Sequence, residues 1–230
     1  MATPAAHGTP DAPLLLVRGE TTLDADPEIA RLGITVTARG RDRRTTLDDL
    51  TRRNTDVLDL IRSYGDTVTE VSTGAFSLAP ELTPHGRGER VRGHHGHVHV
   101  TTALTDFTAL GDLTTRLADL HLTRIDGPWW ELRPDSPVHR EARRQAVRDA
   151  VRRATEYAEA LDTSLAALIE LADLGGEATG GHPQGALERR TLRRTAAPED
   201  APPEPLDLEP QRIRVRAEVR AQFTMLPPHL

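Results

Sequence analysis

The 230-residue sequence predicts an α+β fold, a two-layer α/β sandwich with a mainly antiparallel sheet and helices on one of its faces. Three observations carry this. Residues 29–39 and 211–225 alternate apolar and polar side chains at the period of a strand with one wet face. Three longer segments repeat apolar residues at helical spacing. The resulting order, β-β-α-β-β-α-β-α-(β)-loop-β, calls for helices laid over one side of a sheet.

The elements follow in turn. Residues 1–13 carry no arginine and no long apolar run and read as a disordered tail. Leu14 to Leu23 opens the sheet. In the second strand Ala30, Leu32, Ile34, Val36 and Ala38 share one face. A helix is expected from about Thr46 to Ser63, with Thr46 and Asp49 as a capping box and Leu47, Leu50, Val57, Leu58 and Ile61 as its stripe. Asn54 falls within that stripe, either as a buried amide or at its margin, and Gly65 ends the helix. Strands at 68–79 and 90–104 flank a polar, Pro/Gly-rich connection. Asp106 is placed to cap a second helix bearing Leu110, Leu113, Leu117 and Leu120. A strand near 122–133 holds Trp129 and Trp130, and Pro137 starts a long helix running to Leu161. Residues 164–172 fit a helix or a short buried strand equally. Residues 175–209 lack periodicity and read as a mobile loop before the closing strand, 211–225. The stretch 29–133 alone is βαββαβ, the split βαβ pattern. The expectation is one layered sandwich over 14–226, as one body or two lobes, in which both ends of the chain meet.

Composition narrows function by exclusion. There is no cysteine, which removes disulfides, thiolate metal sites and thiol redox chemistry. All 29 basic residues are arginine, yet the net charge is -6, so no global field draws the chain to nucleic acid. No segment approaches the roughly 20 apolar residues of a membrane span. The run Leu14-Leu15-Leu16-Val17 is too short for the core of a signal peptide, so a cytoplasmic location is expected. No P-loop, H-E-x-x-H, G-x-S-x-G or G-x-G-x-x-G motif is present, which leans the reading away from an enzyme. No cofactor is called for.

Several short motifs occur in a fixed order: Gly19-Glu20, Asp26-Pro27-Glu28-Ile29-Ala30, Asn54, then Thr73, Phe76, Ser77, Leu78 and Pro80. Gly93 follows, and an alanine-rich helix around Glu141, Ala142, Ala146, Ala150 and Ala154 precedes a late loop and a final strand. In this order the chain resembles the SIMPL-domain family across about 14–226. Bacterial members include periplasmic oxidative-stress-defence proteins and an outer-membrane immunogenic protein. The resemblance implies a homo-oligomer and a stress-linked role, and it supplies no catalytic residues. His94 stands where relatives often carry an aromatic residue.

Candidate sites are few. In Gly93-His94-His95-Gly96-His97-Val98-His99-Val100, residues His95, His97 and His99 project to one strand face at steps of about 6–7 Å. Two of the three could hold zinc, copper or nickel, with His85 as a further ligand, or they form a solvated face. Trp129 and Trp130 point to opposite sides, one to the core and one to an interface. Arg214 and Arg216 line the wet side of the last strand as an interface or a solvated row. Arg140, Arg144, Arg148 and Arg152 repeat on the long helix, where the acidic total favours a solvated face over a nucleic-acid stripe. Arg189, Arg190, Arg193 and Arg194 with acidic 199–209 pair among themselves or dock an unidentified protein partner. The function read from all this is a non-catalytic, self-associating protein. The alternatives are a metal- or small-ligand-binding module built on the histidine strand, and a hydrolase whose site has no recognisable motif.

Overall fold

The computed structural model describes residues 8–82, 91–175, 178–179 and 205–228. In chain order the elements are β1 (Leu14–Ala25), β2 (Ile29–Gly40), α1 (Arg43–Arg62), β3 (Val68–Leu82), β4 (Val91–Leu104), α2 (Phe107–Ala118), β5 (Thr123–Glu131), α3 (Pro137–Glu159), β6 (Leu165–Asp173), β7 (Ala178–Thr179) and β8 (Ile213–Met225). Every strand and helix expected from periodicity is there, and the fold is α+β with antiparallel sheets. The segment expected at 164–172 as a helix or a buried strand is the strand β6, with most of its side chains exposed. The strands divide between two sheets, in two compact units, instead of joining one. The split falls at Asp26-Pro27, where proline has no N–H to continue a ladder. Most of the expected loop 175–209, residue His85 and Arg189 to Arg194 lie outside the described residues, as do residues 1–7 of the tail.

Unit 1 contains the sheet β1-β8-β6, with β7 also on β8, and α3 packed on β1 and β8. The first and last strands pair in an unbroken register from Leu14↔Thr224 to Ala25↔Ile213. The inner face of β8 carries Ile213, Val215, Ala217, Val219, Ala221, Phe223 and Met225, all buried, as alternation requires. Facing them, Ala142, Ala146, Ala150, Ala154 and Ala158 on α3 are at most 1% exposed. A stripe of single methyl groups brings the helix close, and Gly19 on β1 lies against the α3 backbone between Ala146 and Ala150. The Ser136 hydroxyl accepts the Val138 N–H to start α3, and Pro137 fills the first helical position.

Unit 2 contains the sheet β3-β4-β2-β5 with α1 and α2 on one face. This strand order is that of a split βαβ fold. Ala30, Leu32, Ile34, Val36 and Ala38 are all 0% exposed and pack with Leu50, Val57 and Ile61 of α1 and Leu110, Leu113 and Leu117 of α2. Asp106 caps α2 by accepting the Thr108 and Ala109 N–H groups. The α1 cap differs from expectation. Asp42 caps the helix by accepting the Thr45 N–H at 2.9 Å, so α1 starts at Arg43, three residues before the expected start at Thr46. Thr46 instead turns inward and donates to the Asp42 carbonyl, while Asp49 pairs with Arg52 and Arg53. Asn54 is half-buried, and its Oδ1 has no hydrogen-bond partner among the described residues.

Candidate functional site

The open face of the unit 2 sheet, away from its helices, gathers the chemically distinctive residues. β4 is an inner strand, paired with β2 on one side and β3 on the other, so its side-chain directions are fixed by two ladders. Gly96, Val98 and Val100 point into the core, and His95, His97 and His99 stand half-buried on the open side. The ring centroids of His95 and His97 are 6.1 Å apart, with planes inclined at 42°. His99 Nδ1 lies 3.2 Å from the Thr35 hydroxyl. The fourth histidine, His94, has the opposite parity. Its Nδ1 is buried without a hydrogen-bond partner among the described residues. It lies near Asp42, whose carboxyl is held below its usual range by the Thr45 hydroxyl and N–H, with His94 contributing.

The β2–β5 register brings Trp129 opposite Arg31, on this same face. Gly33 makes room for it: a Cβ there would sit 3.0 Å from His99 Cε1 and 3.1 Å from Trp129 Cη2. The two rings therefore overhang one glycine. Trp130 faces the other way and packs edge-on against Phe107, centroids 4.9 Å apart, at the margin of the core. Arg31 links the two end strands of the sheet, binding Glu131 on β5 (Nε–Oε1 3.2 Å) and Glu70 on β3 (3.0 Å). Sequence reading missed this three-strand network, because its register becomes visible only once β2 is known to lie inside the sheet. Among the described residues no three His, Asp or Glu side chains gather closely enough to hold an ion.

In unit 1 the outward arginines Arg214 and Arg216 of β8 are exposed but paired. Arg214 lies 3.6 Å from Asp24, and Arg216 lies 3.1 Å from Glu20. Beside them, Glu20, Thr21, Gln145, Arg148, Asp149 and Arg152 line a shallow, open hollow between β1 and α3. Asp149 is its most enclosed charge, with a side chain 14% exposed. Burial pushes its carboxyl up, but the Glu20 N–H (3.0 Å), Arg152 and Arg153 outweigh that and hold it below the ordinary value. A depressed folded-state pKa contributes stability above the unfolded carboxylate pKa of about 3.9, and that stability is lost as pH falls through the folded value. Asp149→Asn is therefore expected to destabilise the protein at pH about 7 and to differ little from wild type near pH 2. Urea unfolding at the two pH values measures this, and an equal gap at both would contradict it.

A family model described as SIMPL, protein of unknown function (DUF541), matches residues 15–223. The 26 kDa periplasmic immunogenic protein of Brucella melitensis is 23% identical over 167 residues, covering 70% of this chain and 66% of that protein. Its counterpart in Brucella abortus is also 23% identical over 167 residues. The chain thus spans just under two thirds of these relatives' length. Both relatives are periplasmic by name, and this overturns the expected cytoplasmic location. That expectation rested on residues ahead of Val17, and neither the absent cysteine nor the charge pattern separates the two compartments. Among the described residues, no helix is long and apolar enough to cross a membrane.

Proposed function

The chain belongs to the SIMPL family, a family of unknown molecular function, and from that premise we propose that it is a non-catalytic protein that works by binding further copies of itself. The observation that carries this is β6. It ends the unit 1 sheet, and among the described residues nothing pairs with its outer edge. It is apolar toward both sides: Leu168 and Ile169 are 53% exposed and Leu171 is 46% exposed. α3 packs on β1 and β8 and leaves this strand largely uncovered. An end strand offers a row of unpaired N–H and C=O groups, and soluble proteins usually blunt such an edge with charge, proline or a bulge. Here Glu170 is the single charged residue and no proline lies between Leu165 and Ala172, while the pairing with β8 shifts register between Leu165 and Ala167 and between Leu168 and Glu170. A second copy supplies a matching strand by symmetry.

Of the expected interface residues, Trp129, Arg214 and Arg216 are retained as proposed secondary contacts between copies, and Trp130, which packs on Phe107 at the margin of the core, is not. No nucleic-acid partner is proposed, since the net charge is -6 and the α3 arginines Arg144, Arg152 and Arg153 are paired with acids of the same helix. The functional body is taken as 14–226, as two lobes. A periplasmic setting is taken from the relatives' names. A stress-linked role rests on the family resemblance and would not use sulfur oxidation, because the sequence has two methionines and Met225 is 6% exposed.

Light scattering at tens of micromolar is expected to show an oligomer, and Ile169→Lys is expected to lower the mass to that of one chain. A strict monomer for the unaltered protein, or an unchanged oligomer in the variant, would overturn the role given to β6.

A further inference from the structure

The geometry points to a transition-metal site: His95 and His97 chelate one Cu(II), Ni(II) or Zn(II) ion on the open face of the unit 2 sheet. The two residues are separated by Gly96, so the strand places both imidazoles on one side without any turn or loop. Their backbone positions are fixed by pairing on both sides of β4. With metal–nitrogen bonds of about 2.0–2.1 Å, an ion shared by two imidazoles puts the ring centroids roughly 5–6 Å apart. The observed 6.1 Å lies within a small side-chain rotation of that range. Imidazole is a ligand suited to zinc, copper and nickel, and it gives little to magnesium or calcium.

The residues paired with the two histidines on β3 are small. Opposite His95 on β3 is Ala79, a single methyl group, and opposite His97 are Ser77 on β3 and Thr37 on β2. Those hydroxyls can accept hydrogen bonds from metal-bound water. Arg39, across from His95 on β2, is the nearby cation, and its charge is countered by Glu81 at 3.8 Å. His99 stays outside the chelate, engaged by Thr35 and seated against Gly33. With two protein ligands the remaining positions fall to water, and the selectivity is for metals that favour nitrogen.

The test uses the full chain without an affinity tag. Calorimetric titration with CuCl2, NiCl2 and ZnCl2 is expected to show one site for at least one metal. His95→Gln and His97→Gln each weaken it by about tenfold or more, and His99→Gln leaves it unchanged. Independently of any variant, substoichiometric Cu(II) broadens the ring-proton NMR signals of His95 and His97 before those of the other histidines. No heat with any of the three metals, equal binding by the His95→Gln/His97→Gln protein, or an equal loss in His99→Gln would overturn the assignment.

Discussion

Gly19→Ala is expected to lower the melting temperature by roughly 6–12 °C, an effect out of proportion to one methyl group. The added Cβ would press on the carbonyl oxygen of Ala146 and the amide nitrogen of Ala150, and would lie 2.7 Å from the Ala150 methyl group. Two of these three neighbours are helix backbone, which cannot swing aside as a long side chain would. Relief requires α3 to lift from β1, opening the alanine stripe that is at most 1% exposed along its length. Overpacking of a tight contact costs about 3 kcal/mol. Gly74→Ala is the matched control, a strand glycine whose Cβ would meet nothing nearer than 3.7 Å. That variant is expected to melt within about 2 °C of wild type. Thermal unfolding followed by circular dichroism reads both. Equal, small shifts for the two variants would show that α3 has slack over β1.

Ile34→Ala is expected to destabilise by about 4 kcal/mol, a fall in melting temperature of roughly 8–16 °C. Ile34 is 0% exposed at the centre of β2, with Val100 of β4 beside it and Ile125 of β5 on the other flank. Both helices cover this cluster, so no neighbour can collapse into the space without breaking a sheet or helix contact. Ile34→Val keeps most of the volume and should lose about 1 kcal/mol. The ratio between the two variants distinguishes a cavity from a general loss of strand propensity. Guanidinium unfolding of unit 2 tryptophan fluorescence follows it directly, since both tryptophans of the sequence, Trp129 and Trp130, lie on β5. A shallow cost for Ile34→Ala would mean that the core around β2 repacks freely.

Local signals made much of this fold readable from sequence. The alternation of β2 and β8, the alanine steps of α3 and the Asp106 cap depend on neighbours a few residues apart, and each reads directly from the chain. Strand parity also separates His95, His97 and His99 from His94 without coordinates. What stayed hidden depends on pairing between distant segments. The division into two sheets is one such case, because periodicity gives each strand its faces but not its partners. The Asp24 and Glu20 partners of Arg214 and Arg216 are another, set by the β1–β8 register. Asp42 was hidden for a different reason: the arginines around it mask the start of the α1 stripe. β6 was ambiguous because a short apolar run lacks a period of its own. Gly19 could be seen as part of a motif, while its reason, the backbone of α3, became visible only in three dimensions.

The pairing of Leu14 with Thr224 also sets a timetable. During synthesis β1 emerges ahead of β2 to β7 and its partner β8 after them, at about 5–20 residues per second. For ten seconds or more, on that order, β1 has no partner strand, while β2 through β5 emerge and can close their own sheet. Until β8 arrives, unit 1 therefore waits with its leading ribbon unzipped, while the sheet of unit 2 can already be closed.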